Sequence, residues 1–487
     1  MRYKAGEELE QLILTPLCLD EYVPEGNICR IIDAFIEVLD MKKLGFKYAN
    51  PKVTGRKAYN PSDMLKLYLY GYLNRVRSSR RLEAETKRNL EVMWLLKKMS
   101  PDDKTISNFR KDNAKGIKQV FREFSLWCNS QGLYGKDHEA IDSTKIRANA
   151  SRKSIHSRKG TEKELISIEK KIEKYMKELE ENDTIELEEA KVSEEKILEI
   201  LKNLKDKKEP LENWLEQIEA NEGKEISTVD PDASFMKTGG DGRNIDACYN
   251  VQTIVDDKHK LILDFEVSTC PDDKGAMVDL SESAKEIMGV EEISLTGDKG
   301  YYDGEDIAKC EKNGITCYIP KIATNASAPC QSYNKNKFRY NKEINTYTCP
   351  QGQTLHFVRK GRKSKKTDTW YSIYANPSAC KICSKRELCT TAKRGRTITR
   401  TPHQGALDIV NARMNTDKAR RILRKHKQIA EHPFGTIKHV WGFRQFLCRG
   451  KEAVTAEQSL AFLAYNFRRV FNIFTQNNDD LALAFAT

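Results

Sequence analysis

The sequence predicts a mixed α/β core that follows an all-helical N-terminal region. Within residues 1–130, apolar side chains recur at helical spacing, as in the stripe from Ile28 to Leu39. Residues 245–267 alternate apolar and polar positions around a polar turn, which predicts an antiparallel pair of strands. Residues 272–319 then alternate predicted helices with the short apolar runs 293–295 and 315–319, as an α/β domain does.

The N-terminal region is predicted to contain short helices with basic ends. One begins after Asn60, with Pro61 in its first turn, and another begins near Asp102. Such helices are typical of a helix-turn-helix DNA-binding domain, although a helical bundle with a basic face fits the same pattern. The candidate DNA-binding side chains of this region are Arg75, Arg77, Arg80, Arg81 and Arg110.

A charged helical segment interrupts the predicted core at residues 161–225. Leu165, Ile168 and Ile172 step by three and four, which predicts a coiled-coil seam, and Pro210 is expected to end the second helix. We interpret the segment as an antiparallel helical hairpin. The sequence leaves open whether this hairpin pairs with another copy or folds on itself.

Composition favours an anionic partner. The 487 residues include 83 Lys and Arg against 71 Asp and Glu, a net charge of +12, so nucleic acid is the first candidate and a solvated basic surface the alternative. Because no apolar run is long enough to cross a bilayer and residues 1–10 are charged, we expect a cytoplasmic, nucleoid-associated protein without membrane contact.

The thirteen cysteines are expected to be reduced, and four of them suggest a metal site. Cys380 and Cys383 form a CxxC pair, Cys389 follows, and Cys349 lies upstream, a set that suits tetrahedral Zn²⁺. His356 could replace one ligand, and loosely packed thiols are the alternative. The basic run 359–366 in the same segment is hypothesised to clamp DNA phosphates.

Three carboxylates stand in settings that suit phosphodiester chemistry. Asp142 and Asp298 each end a predicted strand, where ligands gather in α/β sheets. Glu431 precedes Pro433, which is expected to kink or restart the helix. Such carboxylates can hold two Mg²⁺ ions that act on a phosphodiester. Each one alone is more commonly a turn or helix cap.

The motifs around these residues resemble those of DDE transposases of bacterial insertion sequences, in the same order and over nearly the whole chain. The matching segments are Tyr68–Glu83, Lys104–Arg110, Ala140–Thr144, Gly297–Tyr301, Glu431–Lys438 and Trp441–Arg444.

This resemblance implies an RNase H-like fold in which Asp142, Asp298 and Glu431 are catalytic and bind two Mg²⁺ or Mn²⁺ ions. It also implies that Lys438, seven residues after Glu431, contacts a phosphate at the transposon end. Arg424 and Lys427 stand where the family has Tyr and Arg, so a hairpin intermediate is not implied here, although both cations suit phosphate contact.

The implied function is transposition. The protein would bind the terminal inverted repeats and target DNA as double strands, within a synaptic homodimer, and would cleave and join strands. A nuclease of the same fold that does not join DNA, and a non-catalytic transposase-derived DNA-binding protein, are the alternatives. The expected parts are a helical DNA-binding domain (1–130), core segments 131–160, 226–320 and 401–476, the coiled-coil insert 161–225, the cysteine-rich zinc insert 321–400 and a flexible tail 477–487.

Overall fold

The N-terminal part is helical, as its apolar spacing predicts. The computed structural model describes residues 18–50, 57–151, 154–182, 188–220, 225–238, 244–321, 329–362, 370–477 and 481–486. Asn60 and Asp102 cap two helices by accepting hydrogen bonds from the N–H groups of Ser62 and Thr105, so both predicted starts are confirmed. The helices are α1 Ile28–Glu37, α2 Pro61–Leu73, α3 Ser79–Arg88, α4 Leu90–Leu95, α5 Asp103–Asp112 and α6 Ala114–Ser130.

The main sheet is mixed, and the strand β1 (His138–Arg147) lies at its centre. After β1 come β2 Ile155–His156, α7 Arg158–Asn182, α8 Glu188–Ala220, β3 Ile226–Ser227, β4 Ser234–Thr238, β5 Asn244–Asp256, β6 Ile262–Ser268, α9 Ala276–Met288, β7 Ile293–Thr296, α10 Gly304–Lys312 and β8 Ile315–Tyr318. Strand β5 pairs antiparallel with β1, and both β4 and β6 pair antiparallel with β5. On the other side, β7 runs parallel to β1 and β8 runs parallel to β7.

Helices α7 and α8 form an antiparallel pair beyond the small ladder of β2 and β3. Two ion pairs fix their direction, Lys208 with Glu169 at 2.9 Å and Arg158 with Glu219 at 3.5 Å. The expectation that Pro210 ends the second helix is wrong, because α8 continues through it to Ala220. Packing of the two helices, rather than one lost backbone hydrogen bond, determines the length of α8.

The cysteine-rich segment, residues 329–362 and 370–400, has its own antiparallel sheet. Its elements are β9 Arg339–Asn341, β10 Thr346–Thr348, β11 Thr354–Arg362, β12 Trp370–Ala375, α11 Pro377–Lys381, α12 Arg386–Cys389 and β13 Thr397–Arg400. The strand order is β13-β12-β11-β10-β9. Its core is a small cluster of Phe338, Tyr347, Leu355, Tyr374 and Ile398.

The C-terminal helices connect the sheet to the N-terminal region. They are α13 Gln404–Met414, α14 Asp417–Phe434, which a π-helical turn Gly435–Val440 extends, α15 Lys451–Asn477 and α16 Leu481–Ala486. Helix α15 contacts α2, α6 and β6. The side-chain amide of Asn466 bonds the backbone N–H and carbonyl of Ile262 at 2.9 and 2.7 Å, so the helix is tied to the sheet.

Two C-terminal expectations are corrected. Helix α14 is not interrupted at Pro433; the hydrogen-bond pattern instead widens to a π-helix from Gly435, one way in which a helix accommodates proline. Residues 481–486 of the expected flexible tail form a helix whose Phe485 ring lies 4.1 Å from that of Trp127. None of the described helices combines the length and apolarity needed to cross a bilayer.

Candidate active site

Asp142 on β1 and Asp298, two residues beyond the end of β7, lie at the same level of the sheet. Ala140 of β1 is paired with Thr296 of β7 in parallel register, and each aspartate stands two residues beyond its member of this pair. The Asp142 carboxylate accepts a hydrogen bond from the Ser143 N–H at 2.7 Å. The Asp298 carboxylate accepts one from the Gly300 N–H at 2.7 Å and so caps the short turn after β7. The sheet therefore brings these two predicted carboxylates together.

Glu431 is exposed on α14, and contacts before and after it hold this helix against the two aspartate strands. Five residues before Glu431, the His426 Nδ1 lies 3.2 Å from the Thr296 hydroxyl of β7. Seven residues after it, the Lys438 ammonium donates to the Thr144 hydroxyl of β1 at 2.8 Å. Each strand contact is two residues from an aspartate, so Glu431 is held on the same side of the sheet as Asp142 and Asp298.

The charges of the site interact through its partly buried interior. Burial raises the pKa of Asp142 to about 7, and the negative charges of Asp298, Glu431 and Asp273 add to this rise. The Ser143 N–H opposes the rise by donating to the carboxylate. A positive charge placed beside Asp142 would therefore stabilise its ionised form.

Asp273 is a fourth carboxylate of the site, which sequence reasoning missed. It accepts a hydrogen bond from the Asn250 side chain of β5 at 2.9 Å. A Cβ built on Gly300 would stand 2.9 Å from an Asp273 oxygen and 2.8 Å from an Asp298 oxygen, so the two carboxylates flank this glycine. The only sequence signal was the acidic pair Asp272–Asp273 after a strand, which is also typical of a helix start.

Hard oxygen ligands of this kind suit Mg²⁺ or Mn²⁺. In the part of the chain that the structure describes, no three His, Cys, Asp or Glu side chains stand close enough together to hold one ion. The donor chemistry fits a divalent cation nevertheless, because the negative charges of Asp298, Glu431 and Asp273 all act on the Asp142 carboxylate, and a cation would relieve their mutual repulsion.

The predicted phosphate-binding residues of the C-terminal segment differ in exposure. Arg424 and Lys427 are exposed on α14. Lys438 is half-buried, and its ammonium also donates to the Lys145 carbonyl at 3.0 Å. Because an ammonium has three N–H donors, one is left for a further acceptor.

The N-terminal arginines also fall into two groups. Arg75, Arg80 and Arg81 are exposed. The Arg77 guanidinium instead stacks 4.3 Å from the Phe443 ring and donates to the Gln445 carbonyl at 3.1 Å.

Arg110 requires a correction, because it is only 6% exposed and does not present its charge at the surface. Its guanidinium lies 5.5 Å from the Tyr68 ring and donates to the Tyr72 hydroxyl at 3.3 Å. The Arg110 side chain points inward because it lies on the buried face of α5, which packs against α2 and α15.

The four predicted zinc ligands, Cys349, Cys380, Cys383 and Cys389, line one cavity of the cysteine-rich segment. His356 lies on β11, exposed, and does not line it. Of the basic run 359–366, Arg359 and Lys360 are exposed, and residues 363–366 lie outside the described part of the chain.

Comparison with known families adds to this geometry. Residues 17–112 match the family described as a transposase domain (DUF772), and residues 348–471 match the family described as a transposase DDE domain. The two matches lie in separate parts of the chain, one in the helical N-terminal region and one from the cysteine-rich segment to α15. The second match includes Glu431 and Lys438, whereas Asp142 and Asp298 lie outside both matches.

No curated protein matches the sequence. Among solved structures, the cryo-EM structure of a piggyBac transposase synaptic complex with hairpin DNA is similar at 7% identity and a TM-score of 0.32, over 94% of this chain and 78% of that chain.

Proposed function

We propose that the protein is a DNA transposase that binds the terminal inverted repeats of an insertion sequence, cleaves DNA strands with Mg²⁺ and transfers them to a target. The observation that supports the proposal is that β1, the end of β7 and α14 hold Asp142, Asp298 and Glu431 on the same side of the main sheet, in a chain with matches to two transposase families. The sheet order also supports it. An antiparallel pair beside a central strand, followed by two parallel strands, is the arrangement that we expect of an RNase H-like core.

In this proposal Asp142, Asp298 and Glu431 would hold the two divalent ions, and Asp273, which flanks Gly300 together with Asp298, would join the donor set. Two divalent ions bound by these carboxylates would stabilise the attacking and leaving oxygens of the phosphodiester. Asn250 holds the Asp273 carboxylate through its 2.9 Å hydrogen bond. The third N–H of Lys438 would donate to a phosphate oxygen beside β1, and exposed Arg424 and Lys427 would hold the DNA backbone farther along α14.

Two DNA ends must be joined to one target, so we propose that the protein acts as a homodimer in a synaptic complex. The exposed Arg75, Arg80 and Arg81 would contact DNA from the N-terminal region.

The experiment that tests the proposal is cleavage of a duplex that carries the element's own terminal repeat. Wild type is compared with Asp298→Asn and with the matched control Asp272→Asn, whose carboxylate is exposed. We expect Mg²⁺-dependent cleavage by wild type and control, and binding without cleavage by Asp298→Asn. Cleavage that persists in Asp298→Asn would overturn the assigned site.

The two rival functions predict different results. A nuclease of the same fold would cleave the repeat but would not join pre-cut ends to a target duplex in a strand-transfer assay. A non-catalytic DNA-binding protein would bind the repeat equally with and without Mg²⁺, and wild type would not cleave it.

A further inference from the structure

The cysteine-rich segment brings four cysteines from three separate elements to one cavity. Cys349 follows β10, Cys380 lies in α11, Cys383 follows that helix, and Cys389 ends α12. All four are half-buried thiols without a disulfide. Free thiols on distant elements that meet in one cavity are typical of a soft-metal site.

In the turn that follows β10, a backbone N–H group points at the sulfur of Cys349. The Gln353 N–H lies 3.3 Å from the Cys349 Sγ, and the Gly352 N–H donates to the Cys349 carbonyl at 2.9 Å. The turn depends on Gly352, whose φ of +77° favours glycine. A backbone N–H aimed at sulfur stabilises a thiolate, which is the form that binds a metal.

The positions of Cys380, Cys383 and Cys389 are also held by local contacts. The Asn376 side chain caps α11 by accepting from the Ala379 N–H at 3.0 Å, and the Arg386 N–H donates to the Cys383 carbonyl at 3.2 Å where α12 begins. Gly395 packs against Cys380 so closely that a Cβ there would stand 2.5 Å from the Cys380 Cβ. The loop therefore closes over this cysteine because residue 395 has no side chain.

Two arginines beside the cysteines can balance the negative charge of thiolates. Arg386 and Arg396 line the same cavity as the cysteines. In the described chain the four cysteines share this cavity without standing at metal-binding distances from one another.

The fold of the segment leaves a need for such a metal. Its apolar cluster has five buried side chains for a five-stranded sheet. Small units with so little core generally require a disulfide or a metal to be stable.

We propose that Cys349, Cys380, Cys383 and Cys389 bind one structural Zn²⁺ ion, which fastens α11 and α12 to the turn after β10. The thiols approach one another by side-chain rotation as they bind and lose their protons to solvent. The closed set of four sulfurs leaves no position for substrate, so the ion is structural rather than catalytic. This inference does not depend on the proposed transposase function.

The test is metal analysis of the full-length chain purified from zinc-supplemented medium. Plasma emission spectroscopy is expected to find about one zinc per chain in wild type. Cys383→Ser and Cys389→Ser are expected to lose most of it. The matched control is Cys330→Ser, because Cys330 belongs to the same segment but does not line the cavity. Control protein that loses its zinc while Cys383→Ser retains it would overturn the assignment.

A second measurement guards against variants that do not fold. Wild-type protein stripped of zinc under reducing conditions is titrated with Co²⁺, and the intense visible absorption of tetrahedral cobalt thiolate is expected at one equivalent. Wild type that carries no zinc and gives no such absorption would overturn the proposal. The absorption of bound iron in the purified protein, in place of zinc, would overturn the choice of metal.

Discussion

The Lys438 ammonium donates a hydrogen bond of 2.8 Å to the hydroxyl of Thr144, 294 residues away in the chain. The contact joins the π-helical turn after Glu431 to the strand that carries Asp142. It therefore has two consequences that can be measured separately, one for the position of α14 and one for the charge offered to DNA.

Replacing Lys438 with Met is expected to weaken binding to the terminal repeat and to reduce the slope of log affinity against log salt concentration by about 1, because one phosphate contact is lost. Fluorescence anisotropy at several salt concentrations measures this slope. Thr144→Val keeps the charge, so its slope should equal that of wild type while its unfolding free energy falls by about 1 kcal/mol. An unchanged slope in Lys438→Met would show that this ammonium does not contact phosphate.

Asp273→Asn is expected to slow Mg²⁺-dependent cleavage by about tenfold or more, since it removes one carboxylate from the proposed donor set. The melting temperature should change little, because Asn can keep the hydrogen bond with Asn250. Mn²⁺ binding followed by electron paramagnetic resonance gives a readout independent of turnover. Equal Mn²⁺ affinity and equal cleavage rates in Asp273→Asn, Asp272→Asn and wild type would exclude Asp273 from the site.

Glu139 gives a prediction for pH. It is fully buried, and neither carboxyl oxygen has a hydrogen-bond partner in the described structure. Burial raises its pKa to about 8, and the charges of Asp256, Asp137 and Asp257 add to the rise. Because the folded protein keeps this proton after the unfolded chain has lost it, the contribution to stability is full below the unfolded pKa of 4.5 and is lost as the pH rises to about 8.

Urea unfolding at pH 6, 7 and 8 tests this linkage. Between those limits wild type should lose up to about 1.4 kcal/mol per pH unit through this one group, and Glu139→Gln should flatten the dependence. If the variant and wild type show parallel profiles, Glu139 does not hold a proton in the folded state.

Arg110→Ala is expected to lower the unfolding free energy by about 3 kcal/mol, because it removes a buried cation from between Tyr68, Tyr72 and the Glu457 carboxylate. Arg81→Ala, at an exposed position, should leave stability unchanged and weaken DNA binding. Differential scanning calorimetry and anisotropy separate the two effects. A stable Arg110→Ala variant with weakened DNA binding would restore the surface role that its sequence position first predicted.

The main sheet could be predicted where the sequence pattern is periodic. The two alternating runs at 245–267 form β5 and β6, and the short apolar runs at 293 and 315 form β7 and β8. The expectation that Asp142 ends its strand is wrong, because β5 pairs with β1 as far as Arg147, where apolar alternation no longer signals a strand. Long-range pairing, rather than local propensity, determines this length.

The sheet of the cysteine-rich segment could not be predicted in the same way. Its strands β9 and β10 have three residues each, and β11 is exposed along most of its length, so there is little apolar alternation to detect. At the active site, motif resemblance indicated Asp142, Asp298 and Glu431. Asp273 was missed because its place depends on Asn250 and Gly300, which are near it only in the folded chain.

The order of the strands also governs when the protein can fold during synthesis. The antiparallel partner of β1 begins at Asn244 and its parallel partner at Ile293, so both edges of β1 stay unpaired while close to a hundred further residues are made. Such late, non-local pairing slows folding and leaves apolar strands exposed to aggregation on the ribosome. The residues made in this interval include α7 and α8. These charged helices pair with each other through local contacts, so they can fold before β5 is made.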